Sequence, residues 1–254
     1  SKGANITQDG SSKIISMQLS GNGNAIVIGE AFNTRVLKFN TDWDQVNLAF
    51  ESDDNTDEFG YAVAISGNGE VYAVGAPSIA TSGKNGYVSI FNHNKNNINL
   101  FGEEFYGNAQ YDYLGNSVSV SENGNIIAVG ASGQYQSESV SRVMVYEKTI
   151  NGLEQIGEDI LNPSTYTYSG FGSVVEINAN GSLLAISAPN LYNSDYGAVY
   201  VYQRSGNNWV PFGNQIIGDY GSNISSGLNK KIEWDVFHDD IEIAQRLKPV
   251  IITN

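Results

Sequence analysis

Carboxylates and tyrosines are the side chains of this sequence best placed to do chemistry, and they gather in a few segments. Asp53, Asn55 and Asp57 alternate like the first ligands of a calcium loop, where residues two apart turn oxygens toward one ion. The same stretch departs from such a loop. Glu58 stands where a glycine would make the sharp turn, and no bidentate glutamate follows at the required distance. An aspartate just before an apolar-Gly step recurs at Asp112, so turn capping accounts for Asp57 without a metal. The tyrosines of interest are Tyr111, Tyr113, Tyr135, Tyr166, Tyr168, Tyr192 and Tyr196, interspersed with Asp54, Asp112 and Asp195. A tyrosine offers a rigid apolar ring with a hydroxyl at its tip, which suits protein contacts and stacking on sugars. The alternative is that these rings pack between neighbouring loops.

Other chemistries find little support. Two carboxylates from separate segments would suffice for glycoside hydrolysis, but no spacing selects a pair. The only histidines are His93 and His238, and His93 lies in a polar stretch, residues 92–97, that reads as a hairpin loop. No Ser-His-Asp order, paired metal-binding histidines, phosphate-cradling loop or dinucleotide fingerprint stands in a strand-to-helix context. With no cysteine, thiolate sites and disulfides are excluded. The formal charge is −14, from 13 Lys and Arg against 27 Asp and Glu, so clustered phosphate contacts and nucleic-acid binding are not expected. No stretch approaches the roughly 20 apolar residues of a membrane-spanning helix, so membrane insertion is not expected either.

Whatever these groups do, a repeated scaffold must position them. Ser20-Gly-Asn-Gly23 recurs as Ser66-Gly-Asn-Gly69, Ser121-Glu-Asn-Gly124 and Asn178-Ala-Asn-Gly181, roughly fifty residues apart. Asn-Gly predicts a type I′ hairpin in which both central residues take positive φ. An alternating strand precedes each turn, as in residues 62–65 and 117–120, and an apolar run follows, as in 126–130. A third strand ends in an aromatic at Phe39, Phe91, Tyr146 and Tyr202. A fourth carries spaced apolar residues around a glycine: Ile98, Phe101, Gly102 and Phe105; Leu153, Ile156, Gly157 and Ile160; Trp209, Phe212, Gly213 and Ile216. Its first copy has Trp43, Val46, Asn47 and Phe50. Successive four-stranded antiparallel units of this kind predict an all-β protein, a β-propeller in which each blade covers its neighbour's face. The copies span about 14–52, 59–107, 114–162 and 171–218 within a repeat domain of residues 1–221.

The turn, the Ala73-Val-Gly-Ala-Pro77 run and the Phe59-Gly60 step resemble FG-GAP repeats, the unit of integrin α-type propellers. Partial echoes are Leu114-Gly115 with residues 128–131 and Phe171-Gly172 with residues 185–189. The first copy departs, with Lys13-Ile14 at the aromatic-Gly step and Gly29-Glu30-Ala31 for Gly-Ala-Pro. The resemblance implies a disc of blades used for adhesion or protein contact, commonly outside the cell. Integrin-type blades often hold calcium between their first two strands, whereas here that connection is only the short turn, leaving Asp53, Asn55 and Asp57 as the sole calcium candidates. Four copies would close as a small propeller, complete a larger one with a second chain, or stay an open arc.

The repeat pattern stops near residue 222. Residues 222–254 form a tail whose apolar spacing fits both a strand (Ile232, Trp234, Val236) and a helix (Trp234, Phe237, Ile241, Ala244, Leu247). It reads as a docking or homo-oligomer assembly segment. The functional expectation is a non-catalytic adhesion or scaffold module, at an extracellular, cell or virion surface, that binds a protein through the tyrosine-bearing loops. A glycan-binding lectin is the alternative, followed by a glycoside hydrolase.

Overall fold

The computed structural model describes residues 13–46, 50–51, 57–78, 85–94, 97–133, 140–164, 169–191, 196–213 and 216–219. Of the tyrosines named above, Tyr135, Tyr166, Tyr168 and Tyr192 lie outside the described residues, as do Asp53, Asn55, Asp54 and Asp195. The whole of segment 222–254 lies outside them too.

Every described element is a strand, and the strands form four separate antiparallel sheets in chain order. The first sheet contains β1 (Ile14–Leu19), β2 (Ala25–Glu30), β3 (Asn33–Phe39), β4 (Trp43–Gln45) and β5 (Phe50–Glu51). The second contains β6 (Ala62–Ile65), β7 (Val71–Ala76), β8 (Tyr87–Asn94), β9 (Asn97–Leu100) and β10 (Phe105–Tyr106). The third contains β11 (Leu114–Val120), β12 (Ile126–Ala131), β13 (Arg142–Thr149), β14 (Gly152–Gln155) and β15 (Ile160–Leu161). The fourth contains β16 (Val175–Ile177), β17 (Leu183–Leu191), β18 (Tyr196–Ser205), β19 (Asn208–Pro211) and β20 (Ile216–Asp219). In each sheet the last two short strands both pair with the third strand. They are two halves of one outer strand interrupted by a bulge. Gly102, Gly157 and Gly213 stand at that interruption with φ of 77°, 74° and 73°, which is why a glycine recurs inside the expected fourth strand. Each unit is therefore a four-stranded blade, and the propeller expectation is borne out.

The blades pack through their faces. Innermost strands touch in the order β1, β6, β11, β16, and each of three apolar clusters is built from two successive blades. Ala25, Val27 and Val36 of the first blade meet Phe59, Ile65 and Val74 of the second. Val71, Ala73 and Ile90 meet Leu114, Val120 and Val129. Ile126, Val143 and Val145 meet Phe171, Val175 and Ile177. No blade has a core of its own, so each depends on its neighbours for burial.

The Asn-Gly turn is present in every blade, but not in the expected type I′ form. Only Gly23, Gly69, Gly124 and Gly181 take positive φ, between 72° and 74°, and the preceding asparagines do not. The asparagine instead organises the loop by side chain: Asn22 Oδ1 accepts the Asn24 amide, and Asn123 Oδ1 accepts that of Asn125. The turn serine is buried. Ser66 Oγ accepts the Val71 amide at 3.0 Å and donates to Asn68 at 2.6 Å, while Asn178 Oδ1 accepts the Leu183 amide at 2.9 Å in the fourth blade. Replacing Ser66 by alanine strands a buried amide, with an expected loss of about 1–2 kcal/mol in urea unfolding; Ser66→Asn, which copies the fourth blade, should lose less. Turns of successive blades are also tied together: Asn22 N donates to Gly67 O at 2.9 Å, Gly67 N to Glu122 O at 2.8 Å, and Glu122 N to Ala179 O at 3.0 Å.

Candidate binding face

The opposite end of the blades carries the candidate functional groups, and its geometry follows from the aromatic-Gly step. Residues 58–61, 113–116 and 170–173 each form a turn closed by a bond from the fourth amide to the first carbonyl, at 3.0 Å in all three. Gly60, Gly115 and Gly172 hold φ of 90°, 89° and 85° at the third position, the type II arrangement. The second position, Phe59, Leu114 or Phe171, drives its side chain into the interblade core and is fully buried. Lys13-Ile14 breaks this pattern in the first blade. There a buried ion pair, Glu30 Oε1 to Arg35 Nη2 at 2.6 Å, occupies the corresponding part of the sheet.

The residue before each turn aromatic is left in the left-handed region. Glu58 has φ 58° and Tyr113 φ 55°, and the matching position in the fourth blade is Gly170 at 67°. Tyr111 adds a further non-glycine at 62°. Such backbone costs on the order of 1–3 kcal/mol per residue unless the surroundings hold it. Tyr113 lies within electrostatic reach of both Glu58 and Tyr111: burial first, then Glu58 and then Tyr111, raise its phenol above the ordinary range. The Tyr113 hydroxyl is sheltered from water and has no hydrogen-bond partner among the described residues. The Glu58 carboxyl is likewise raised, by burial and then by Asp57.

The two aspartates flanking this cluster are turned inward. Asp57 accepts the Phe59 amide at 3.2 Å and the Tyr87 hydroxyl at 2.9 Å. Asp112 accepts the Asn108 amide at 3.0 Å and both terminal nitrogens of Arg142, at 2.6 and 2.5 Å. Arg142 Nε lies 3.0 Å from Asp159 Oδ2, an ionic contact without hydrogen-bond alignment. Tyr87 and Arg142 occupy the same place in their sheets, opposite Ala76 and Ala131. Each aspartate thus receives a partner from the third strand of its own blade, an arrangement that sequence spacing did not single out. Among the described residues, no group of three or more His, Cys, Asp or Glu side chains is placed to hold a metal. Tyr196 lies at the start of β18, at the end of the strand that faces this rim.

His93 is not in a hairpin loop. It sits within β8, half-buried, with Nδ1 2.5 Å from Lys38 Nζ of the first blade. Burial, followed by the Lys38 charge, lowers its pKa.

The raised Glu58 pKa has a definite consequence for stability. The folded state holds this proton more tightly than the unfolded chain, so the associated stability is complete at acidic pH and is lost as pH rises through the folded-state value. Glu58→Gln should therefore match the wild type in thermal unfolding at pH 4 or below and exceed it at neutral pH.

No family model matches this sequence, and no curated protein matches it either. Solved structures do. A protein provisionally assigned as a 6-phosphogluconolactonase from Bacteroides uniformis is similar with a TM-score of 0.53 at 14% identity, over 86% of this chain and 59% of its own. The periplasmic gluconolactonase of Pseudomonas aeruginosa gives 0.51 at 13%, over 83% and 55%. A hypothetical selenium-binding protein of Sulfolobus tokodaii gives 0.53 at 8%, over 85% and 60%. The chain thus spans less than two thirds of each of these structures. At such identities the likeness shows the fold, and the fold is a β-propeller. It also corrects the expectation of a module without catalysis, because two of these structures carry the names of lactonases. The physical reason is that blade ends are decorated by loops that vary independently of the scaffold, so this fold does not itself exclude an active site.

Proposed function

We propose that this chain is a recognition module that binds a protein partner through the face bearing Glu58, Tyr111 and Tyr113. The observation that supports it most is that Glu58, Tyr111 and Tyr113 all hold left-handed backbone at this rim. The two rings would supply a partner with apolar area at low conformational cost. In this reading Tyr135, Tyr166, Tyr168, Tyr192 and Tyr196 also take part in binding. The finer kinship is with FG-GAP propellers: the Phe-Gly steps of two blades and the matching Leu114-Gly115 each form a type II turn, and glycine packs on glycine between blades. Adhesion at a cell or virion surface follows from that kinship.

A second reading is hydrolysis of a sugar lactone at the same face, favoured by the names of two structurally similar proteins and by the Glu58 carboxyl, whose pKa is raised by burial and then by Asp57. One experiment separates the readings. Binding to intact cell surfaces and to a glycan array is measured for the wild type and Tyr113→Ala, alongside hydrolysis of glucono-1,5-lactone. Protein binding that falls at least tenfold in the variant, with no glycan signal, is the expected result. Lactone turnover above the spontaneous rate that disappears in Glu58→Gln would replace it with the second reading, and glycan binding lost in Tyr113→Ala would make the face a lectin site.

A further inference from the structure

Four blades joined in a row make three interfaces, and the two end faces of this row have the chemistry of a fourth. Leu19, Ile65, Val120 and Ile177 occupy the same position before the turn, yet they are 53%, 3%, 8% and 4% exposed. The last three are covered by the preceding blade. Leu19, with Met17 and Ile15 on the same face of β1, has no preceding blade among the described residues and is open there. The far end mirrors this. Phe212 and Ile156 are equivalent residues, whose amides donate to Val201 and Val145, and they are 37% and 1% exposed. The ladder of turns is open at the same two ends: among the described residues, Ala179 N has no turn beyond it to donate to, and the Gly21 carbonyl has no turn before it.

We propose that a second copy of this chain closes the row, each molecule seating its last blade on the first blade of the other to give an eight-bladed ring. The two faces are complementary because they are the two sides of an interface that the molecule already makes three times. Pairing of like faces would leave both turn ladders unmatched, whereas head-to-tail pairing lets Ala179 N of one molecule meet Gly21 O of the other. Two such contacts related by a twofold axis close the assembly. The seam differs from the internal interfaces at one point. Gly29, Gly75 and Gly130 each approach the backbone of a glycine in the following blade, but the corresponding residues at the seam are Ser187 and Ile14. The seam is therefore wider there, in keeping with a contact between separate molecules.

Sedimentation analysis of the 254-residue chain should give twice the 27.4 kDa chain mass. Met17→Asp and Phe212→Asp alter exposed side chains, so both should keep their β-sheet circular dichroism, and each alone should sediment as a monomer. Mixed in equal amounts, they should form a one-to-one heterodimer, because one unaltered seam remains between them. A monomeric wild type would overturn the proposal. So would a dimer broken by Met17→Asp but untouched by Phe212→Asp, which is the signature of like faces pairing, or one untouched by either.

Discussion

Gly75→Ala is expected to lower stability by about 3 kcal/mol or more, enough to unfold a marginally stable domain. A β-carbon at Gly75 would lie 2.0 Å from the Gly115 carbonyl oxygen of the next blade. The obstacle is backbone, held on both sides by sheet pairing, so no side chain can rotate away and the blades themselves must separate. The φ of Gly75 is not positive, so the cost is steric and comes from the interface. Gly102→Ala provides the contrast: its φ is 77° but nothing lies within 4 Å. Left-handed strain alone should cost about 1–2 kcal/mol there. Chemical denaturation of both variants distinguishes the two mechanisms, and equal losses would remove the interblade explanation.

The second large effect belongs to Arg142. Removing its guanidinium by Arg142→Met leaves Asp112, which is fully buried, without its bidentate partner. A stranded buried charge costs about 3–5 kcal/mol. Asp112→Asn together with Arg142→Met should recover most of that loss, since asparagine can still accept the Asn108 amide and carries no charge. A double variant no more stable than Arg142→Met in urea unfolding would show that the loss comes from packing around the arginine stem.

These two sites illustrate what a sequence can and cannot reveal. The repeat was legible because its signals are local: Ser-Gly-Asn-Gly, the alternating strand before it and the apolar run after it lie within a dozen residues. The glycine of the fourth strand was legible as a recurring residue, though its role at a bulge needed the sheet register. The pairing of Asp112 with Arg142 was not legible, because the partners stand 30 residues apart and the same strand position holds Tyr87 in one blade and Arg142 in the next. The turn type departs from the sequence expectation for a local reason: Asn-Gly favours type I′ in two-residue loops, but here the strands close from Ser20 to Ala25 around a four-residue loop, which is built around a type I turn. At the candidate face, Tyr111 and Tyr113 were singled out by residue type, while Glu58 gained significance only from its left-handed backbone and its proximity to them.

Successive blades stack through their inner turns, and hydrogen exchange resolved to single amides reads that stacking at its contacts. Gly67 and Glu122 sit at hairpin tips, where amides ordinarily exchange fast, yet their N–H groups bond to the next blade. Both should be protected well above Asn68 and Asn123, their neighbours in the same tips. Exchange of Gly67 and Glu122 as fast as that of Asn68 and Asn123 would contradict the stacked arrangement.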